Sequence, residues 1–222
     1  MIHYLTDLLA CQGCDLHLNG FVVPGRGPVP AQIMIIGEAP GFDESIAGVP
    51  FAGKSGKELD KLMKLLESSL GKIDREDIYI TNVVKHWPGV GNPTPKVKQI
   101  RACSKFLEME IDQVNPDIII TLGKTALNSI CPKTDLSVWH GKTMSLEIRG
   151  RERYVIPMYH PPDGIYNPQL TPVIKKDFSS ISLTPLTHVQ LQPIRDISEL
   201  SHRFPEITVD LETSSLDTET CS

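Results

Sequence analysis

The chain has 222 residues, of which 40% are hydrophobic and 22% charged, with a formal net charge of −5. That suits a soluble globular protein with room for one good domain plus a fragment, and no apolar run is long enough to span a membrane. The charge is uneven: residues 186–222 hold two arginines against seven acids, so the first 185 residues balance at 20 basic and 20 acidic groups, and a neutral body excludes a broad electrostatic footprint for nucleic acid.

The N-terminus lacks the basic and apolar regions of a signal peptide, so a cytoplasmic location is expected. Five cysteines in such a chain point away from disulfides. Residues 3–10 predict a short helix leading into Cys11-Gln-Gly-Cys14, and Gly20 to Pro30 is a Gly/Pro-rich loop. The apolar run Ile33–Ile36 predicts a buried strand over 31–36. It ends on Gly37-Glu38-Ala39-Pro40-Gly41, whose glycines let backbone approach a ligand. A loop then delivers Phe51 and a helix starts near Lys54-Ser55-Gly56, so that strand, glycine turn and helix N-terminus form a pocket lined by backbone N–H groups.

Leu59, Leu62, Met63, Leu65, Leu66 and Leu70 recur at helical spacing until Gly71 ends the run. Asp77 to Val84 reads as a second strand, Trp87–Pro95 as a loop and about 95–114 as a helix broken by Asn115-Pro116. A third strand covers 117–122 and a short helix 123–130. Strands at 144–148 and 153–158 flank the Arg149-Gly150-Arg151 turn, the second running into Tyr159-His160-Pro161-Pro162, and a last helix covers about 168–181. Strands alternating with helices predict an α/β fold, a three-layer α/β/α sandwich with a mainly parallel sheet. Its ligand site belongs beyond the strand C-termini, where Gly37-Glu38, Asn82 and His160 all fall.

Gly48 to Ser55 matches the P-loop pattern G-x-x-x-x-G-K-S, but a true P-loop leaves its strand directly into the glycine turn. Here Gly37 to Ala47 intervene, Pro50 and Phe51 stand where phosphates would rest, and Ile118–Ile120 runs into Thr121 rather than a magnesium-binding Asp. An NTPase is set aside on those grounds. Residues 183–204 read as a linker, and 205–222 as the start of something new. The strand pattern there places Asp210 and Glu212 on one side, as two-metal phosphoryl chemistry requires. It resembles the first motif of DnaQ-like 3′–5′ exonucleases such as the proofreading domain of family A DNA polymerases, incomplete as a divalent-metal site; an ordinary acidic strand is the plainer alternative.

Taken together, GEAPG at 37–41, the acidic pair Asp43-Glu44, GVPFAGKSG at 48–56, Thr81-Asn82-Val83-Val84-Lys85 and the His160 motif resemble the uracil-DNA glycosylase superfamily, closest to its family 4, the iron–sulfur type, over residues 1–181, within a domain expected to span 1–182. The resemblance implies removal of an everted uracil from DNA, with uracil-containing DNA as partner and a monomeric chain, while the exonuclease-like segment implies exonuclease or polymerase domains in cis. It makes Asn82 the reader of the pyrimidine edge, since an amide sets a donor beside an acceptor. Phe51 becomes the stacking face, although alone it would read as core. His160 becomes the neutral donor to the developing uracil anion, and Gly37, Ala39 and Gly41 the backbone wall. Family 4 lacks an Asp at the position of Ala39, which leaves Glu38 and Glu44 as candidates for handling water or the cationic sugar, with Glu44 favoured; both are also plausible as solvated loop acids. Cys11, Cys14 and Cys103 match three ligands of the family's [4Fe-4S] cluster, and His86 stands at the fourth. A structural zinc on the same set is the chemical alternative. Ser45, His86 and Pro162 depart from the family pattern and keep open a second reading, a module that only senses uracil or holds single-stranded DNA. The Trp87–Pro95 loop has no histidine, so turnover is expected rather than the covalent trapping known from another branch.

Overall fold

The computed structural model describes residues 5–70 and 73–181. The expected linker at 183–204, the exonuclease-like segment at 205–222 and both of its carboxylates, Asp210 and Glu212, lie outside the described residues.

Helix α1 (Leu5–Leu9) and a 3-10 turn (Asp15–Asn19) flank the paired cysteines. Strand β1 (Ile33–Gly37) follows, then α2 (Phe42–Ala47), α3 (Lys54–Leu70), β2 (Ile78–Asn82), α4 (Val97–Val114), β3 (Ile118–Leu122) and α5 (Lys124–Ile130). The chain continues through α6 (Leu136–Trp139), β4 (Met144–Ile148), β5 (Arg151–Met158), α7 (Asp163–Tyr166) and α8 (Leu170–Ser179). The loop expected to deliver Phe51 contains α2. Six residues are too few to show a helical period, and glycines at both ends made the segment read as irregular.

The sheet order is β2-β1-β3-β5-β4, parallel throughout except for β4. Strands covered on both faces need apolar residues at successive positions rather than alternate ones. In β1, Ile33 and Ile35 turn toward α3 and α8, packing with Leu59, Leu62, Leu66, Ile174 and Phe178. Met34 and Ile36 face the other way, into a layer with Leu107, Ile111 and Val114 of α4 and Leu127 of α5. That is the three-layer sandwich. From β1 the chain moves to β2 on one side and then crosses to β3 on the other, so the strand order reverses beside β1. A crevice opens at such a point beyond the strand C-termini. Among the described residues no helix is long and apolar enough to cross a membrane.

Candidate active site

The crevice is a cleft of about 480 Å³. Its walls come from the segments after β1 (Glu38 to Gly41), after β3 (Gly123, Lys124) and after β5 (His160, Pro162), with Glu44 and Phe51 from the motif between.

Asn82 ends β2 directly opposite Gly37 in the ladder. Its side chain is buried, and the amide nitrogen has no hydrogen-bond partner among the described residues. Space for it exists because residue 37 is glycine. A Cβ there would lie 2.4 Å from Asn82 Oδ1 and 2.7 Å from Phe51 Cζ, far inside van der Waals contact. Gly37 is thus the point where amide and ring meet. Neither Asn82 nor Gly37 lines the cleft, whereas Phe51, which meets them both, does.

Phe51 is held in the left-handed region at φ +54, a conformation a bulky residue adopts only when its surroundings impose it. Arg75 donates to its carbonyl at 2.9 Å and to that of Pro50 at 3.3 Å. Gly56 passes directly beneath, where a Cβ would collide with the Phe51 carbonyl. Glu44 completes the clamp. It is buried, and its carboxylate accepts the backbone N–H of Gly41 at 2.5 Å; burial pushes its pKa up, while the backbone N–H groups of Gly41, Gly53 and Phe51 pull it back. One oxygen of the acid favoured from sequence for water is thus taken by the loop, and Glu44 also lines the cleft. Glu38 is half-buried and accepts the Thr125 hydroxyl.

His160 leaves β5 with its ring centroid 6.2 Å from that of Phe51, the planes tilted by 40°. Burial holds its pKa below the usual histidine range against the opposing pull of Asp163, so the imidazole is neutral at neutral pH. The Asp163 carboxylate also accepts the His160 backbone N–H at 3.1 Å. Pro162, a departure in sequence, costs the backbone nothing: its φ of −61° is a proline's own, and its carbonyl accepts from the first turn of α7.

Behind Asn82 lies a buried ion pair. Lys85 Nζ reaches Glu110 Oε2 at 2.6 Å, Thr81 Oγ1 at 2.6 Å and the Asn82 carbonyl at 2.7 Å, with both charged side chains fully buried. Glu110 also accepts from Tyr79 and from the Gly25 N–H. Arg75, Thr125, Lys85 and Glu110 escaped the sequence reading of site residues. A lysine next to an asparagine motif is a weak cue at best, and the other three carry no local signal.

The candidate metal residues gather at one corner. Burial pushes the Cys103 thiol up, the Lys85 backbone N–H that it accepts pulls it back, and nearby Cys14 and Cys11 push it up again. The Cys11–Cys14 turn lies on α4: a Cβ on Gly13 would meet Cys11 Sγ at 3.7 Å and Ala102 Cβ at 3.8 Å. His86 is buried, its pKa lowered first by burial and then by His17, a neighbour that the sequence did not single out. Three thiols and an imidazole suit iron or zinc, so the donor set fits the group. As placed, no group of three His, Cys, Asp or Glu side chains among the described residues is arranged to hold a single metal ion. Cys131 packs against the core beyond α5 instead.

Comparison with known proteins agrees with this geometry. The uracil DNA glycosylase superfamily matches residues 24–179. A type-4 uracil-DNA glycosylase of Saccharolobus solfataricus is 39% identical over 186 residues, covering 79% of this chain and 84% of the relative. One from Thermotoga maritima is 40% identical over 152 residues, 68% of this chain and 76% of its own. A DNA polymerase of Bacillus phage SP01 is 31% identical over 159 residues, which cover 71% of this chain but 16% of the polymerase. With the family matched over residues 24–179 and the two type-4 relatives similar over most of their own length, the chain belongs to the uracil DNA glycosylase superfamily.

Proposed function

We propose that this protein excises uracil from DNA, hydrolysing the N-glycosidic bond of a nucleotide turned out of the strand. The observation that carries the reading is the unpartnered amide of Asn82, set against the ring of Phe51 at the switch point of the sheet. A buried donor without a partner costs about 1–3 kcal/mol, and a pyrimidine edge offering acceptor and donor side by side would satisfy it. Cytosine presents the opposite pattern and is refused.

Bond cleavage leaves positive charge on the sugar and negative charge on uracil. Neutral His160 donates a hydrogen bond to the uracil oxygen as that charge grows, without giving up its proton. Phe51 stacks on the base. Gly37, Ala39 and Gly41 supply close-approaching backbone. Glu38, standing on the cleft wall, faces the cationic sugar and the attacking water, and Glu44 holds the loop that presents Phe51. Cys11, Cys14, His86 and Cys103 would hold a [4Fe-4S] cluster, which ties the N-terminal segment to α4 and carries no step of the hydrolysis.

The test is incubation with a single uracil in a labelled oligonucleotide, followed by alkali. Strand scission by the wild type, lost in Asn82→Ala and His160→Ala, is the expected result. Intact DNA with measurable binding would overturn the enzyme in favour of a uracil-sensing module. The similarity to a phage polymerase, together with the acidic Asp210–Glu212 segment, supports a chain whose glycosylase unit is joined to polymerase or exonuclease domains. Reading the coding sequence past the codon for Ser222 tests that directly.

A further inference from the structure

Phe42 opens α2 and is 54% exposed, although it directly follows Gly41 in the cleft wall. Its ring meets that of Trp87 edge to face, with centroids 5.1 Å apart and planes at 63°. Trp87 is fixed from two sides. Its indole N–H donates to Asn92 Oδ1 at 2.6 Å, and Asn19 donates to its carbonyl at 3.2 Å. Asn92 itself lines the cleft, as does Pro88, the residue after Trp87. Neither ring belongs to a buried apolar cluster among the described residues. Two oriented aromatic rings therefore stand at the lip of the crevice and contribute nothing to the core.

A nucleotide turned into the cleft leaves its strand running out over that lip, which brings the adjoining base alongside. Rigid aromatic faces bind nucleobases by stacking whatever their sequence, and the body of the protein offers little net charge to do the work instead. Beside an everted nucleotide, a base in a duplex is still held in the helix by its paired partner; one in a single strand is free to turn onto an aromatic face. We propose that the Phe42–Trp87 pair is a stacking platform for the base adjoining the excised one, and that it makes single-stranded DNA the preferred substrate. The proposal rests on the glycosylase reading for the position of the strand.

Two measurements test it. The chain has two tryptophans, so Trp139→Phe leaves Trp87 as the sole reporter. Uracil-free oligothymidylate added to that protein should quench its emission, whereas a duplex of the same length should leave it nearly unchanged. The second measurement compares single-stranded substrates whose uracil is flanked by normal or by abasic positions. Removing the flanking bases should raise the wild-type KM about tenfold, the scale of one stacked base. In Trp87→Ala the KM should already be raised and should not rise further, and Trp87→Phe should restore most of the sensitivity. Unchanged emission with DNA bound, or equal sensitivity of wild type and Trp87→Ala to the missing bases, would overturn the platform. Quenching without any uracil release would keep the platform and sink the glycosylase reading; release without quenching would do the reverse.

Discussion

Gly37 decides more at the site than any side chain does. Its hydrogen occupies the only space shared by the Asn82 amide and the Phe51 ring, so Gly37→Ala must push one of them away. Displacement of a reactive geometry by about 1 Å costs on the order of a hundredfold in rate. Scission assays on Gly37→Ala should show a loss of that order, while far-UV circular dichroism stays that of the wild type. His160 supplies a second prediction. Its folded-state pKa lies below the unfolded value of about 6.5, so the unfolded chain binds the extra proton. Stability is therefore fully present above that value and declines as pH falls toward the folded pKa. Thermal melts from pH 8 to pH 5 should show wild type losing its midpoint faster than His160→Asn, and parallel curves would refute it. At this scale the sequence was legible where a residue type is itself unusual, as with a glycine or an asparagine at a strand end. It was silent on Arg75, whose value lies in reaching the Phe51 carbonyl across 24 positions of chain. Glu44 showed as an acid near the motif, but its burial beside the Phe51 loop is a tertiary fact.

Strands declared themselves through unbroken apolar runs, and α3 through its leucine spacing, because burial on two faces or on one stripe leaves a periodic mark. Among the short helices α1 and α5 were legible, whereas α2, α6 and α7 left too little of a period to be read. Between β2 and α4 the decisive contact is the Lys85–Glu110 pair. Removing one partner strands a charge in the interior, which typically costs about 3–5 kcal/mol. Lys85→Met should lower the free energy of unfolding by that amount, as read from urea titration. Lys85→Met combined with Glu110→Leu should recover part of it, because no lone charge remains. Since Lys85 also donates to the Asn82 carbonyl, the single variant should lose activity even at temperatures where it stays folded.

Across the whole molecule, the N-terminal segment is tied down at several points. Leu8 packs with Phe106 in a small cluster, Leu16 enters the main core, Gln99 donates to Asp15 and Asn19 donates to the Trp87 carbonyl. The thiol corner adds a further attachment. Protein purified anaerobically should be brown and contain iron, and zinc in a colourless preparation would refute the cluster. Cys11→Ser with Cys14→Ser should abolish the colour and expose the chain before Gly20 to limited proteolysis, with the sheet retained by circular dichroism. The overall architecture was legible because strand, turn and helix signals agreed with one another along the chain. What sequence could not express was the convergence of separate segments: His17 lies beside His86, and Thr125 against Glu38, only because the sheet brings them there.

The ladder that pairs Gly37 with Asn82 continues past the strand ends, Val83 donating to the Gly37 carbonyl at 2.9 Å and Val84 to that of Glu38 at 3.1 Å. The groups proposed to discriminate one base from another are therefore rooted in the sheet ladder rather than in a hinged lid. Heat should find no intermediate in which the fold persists but selectivity has relaxed: tolerance of cytosine would appear only as the sheet itself melts.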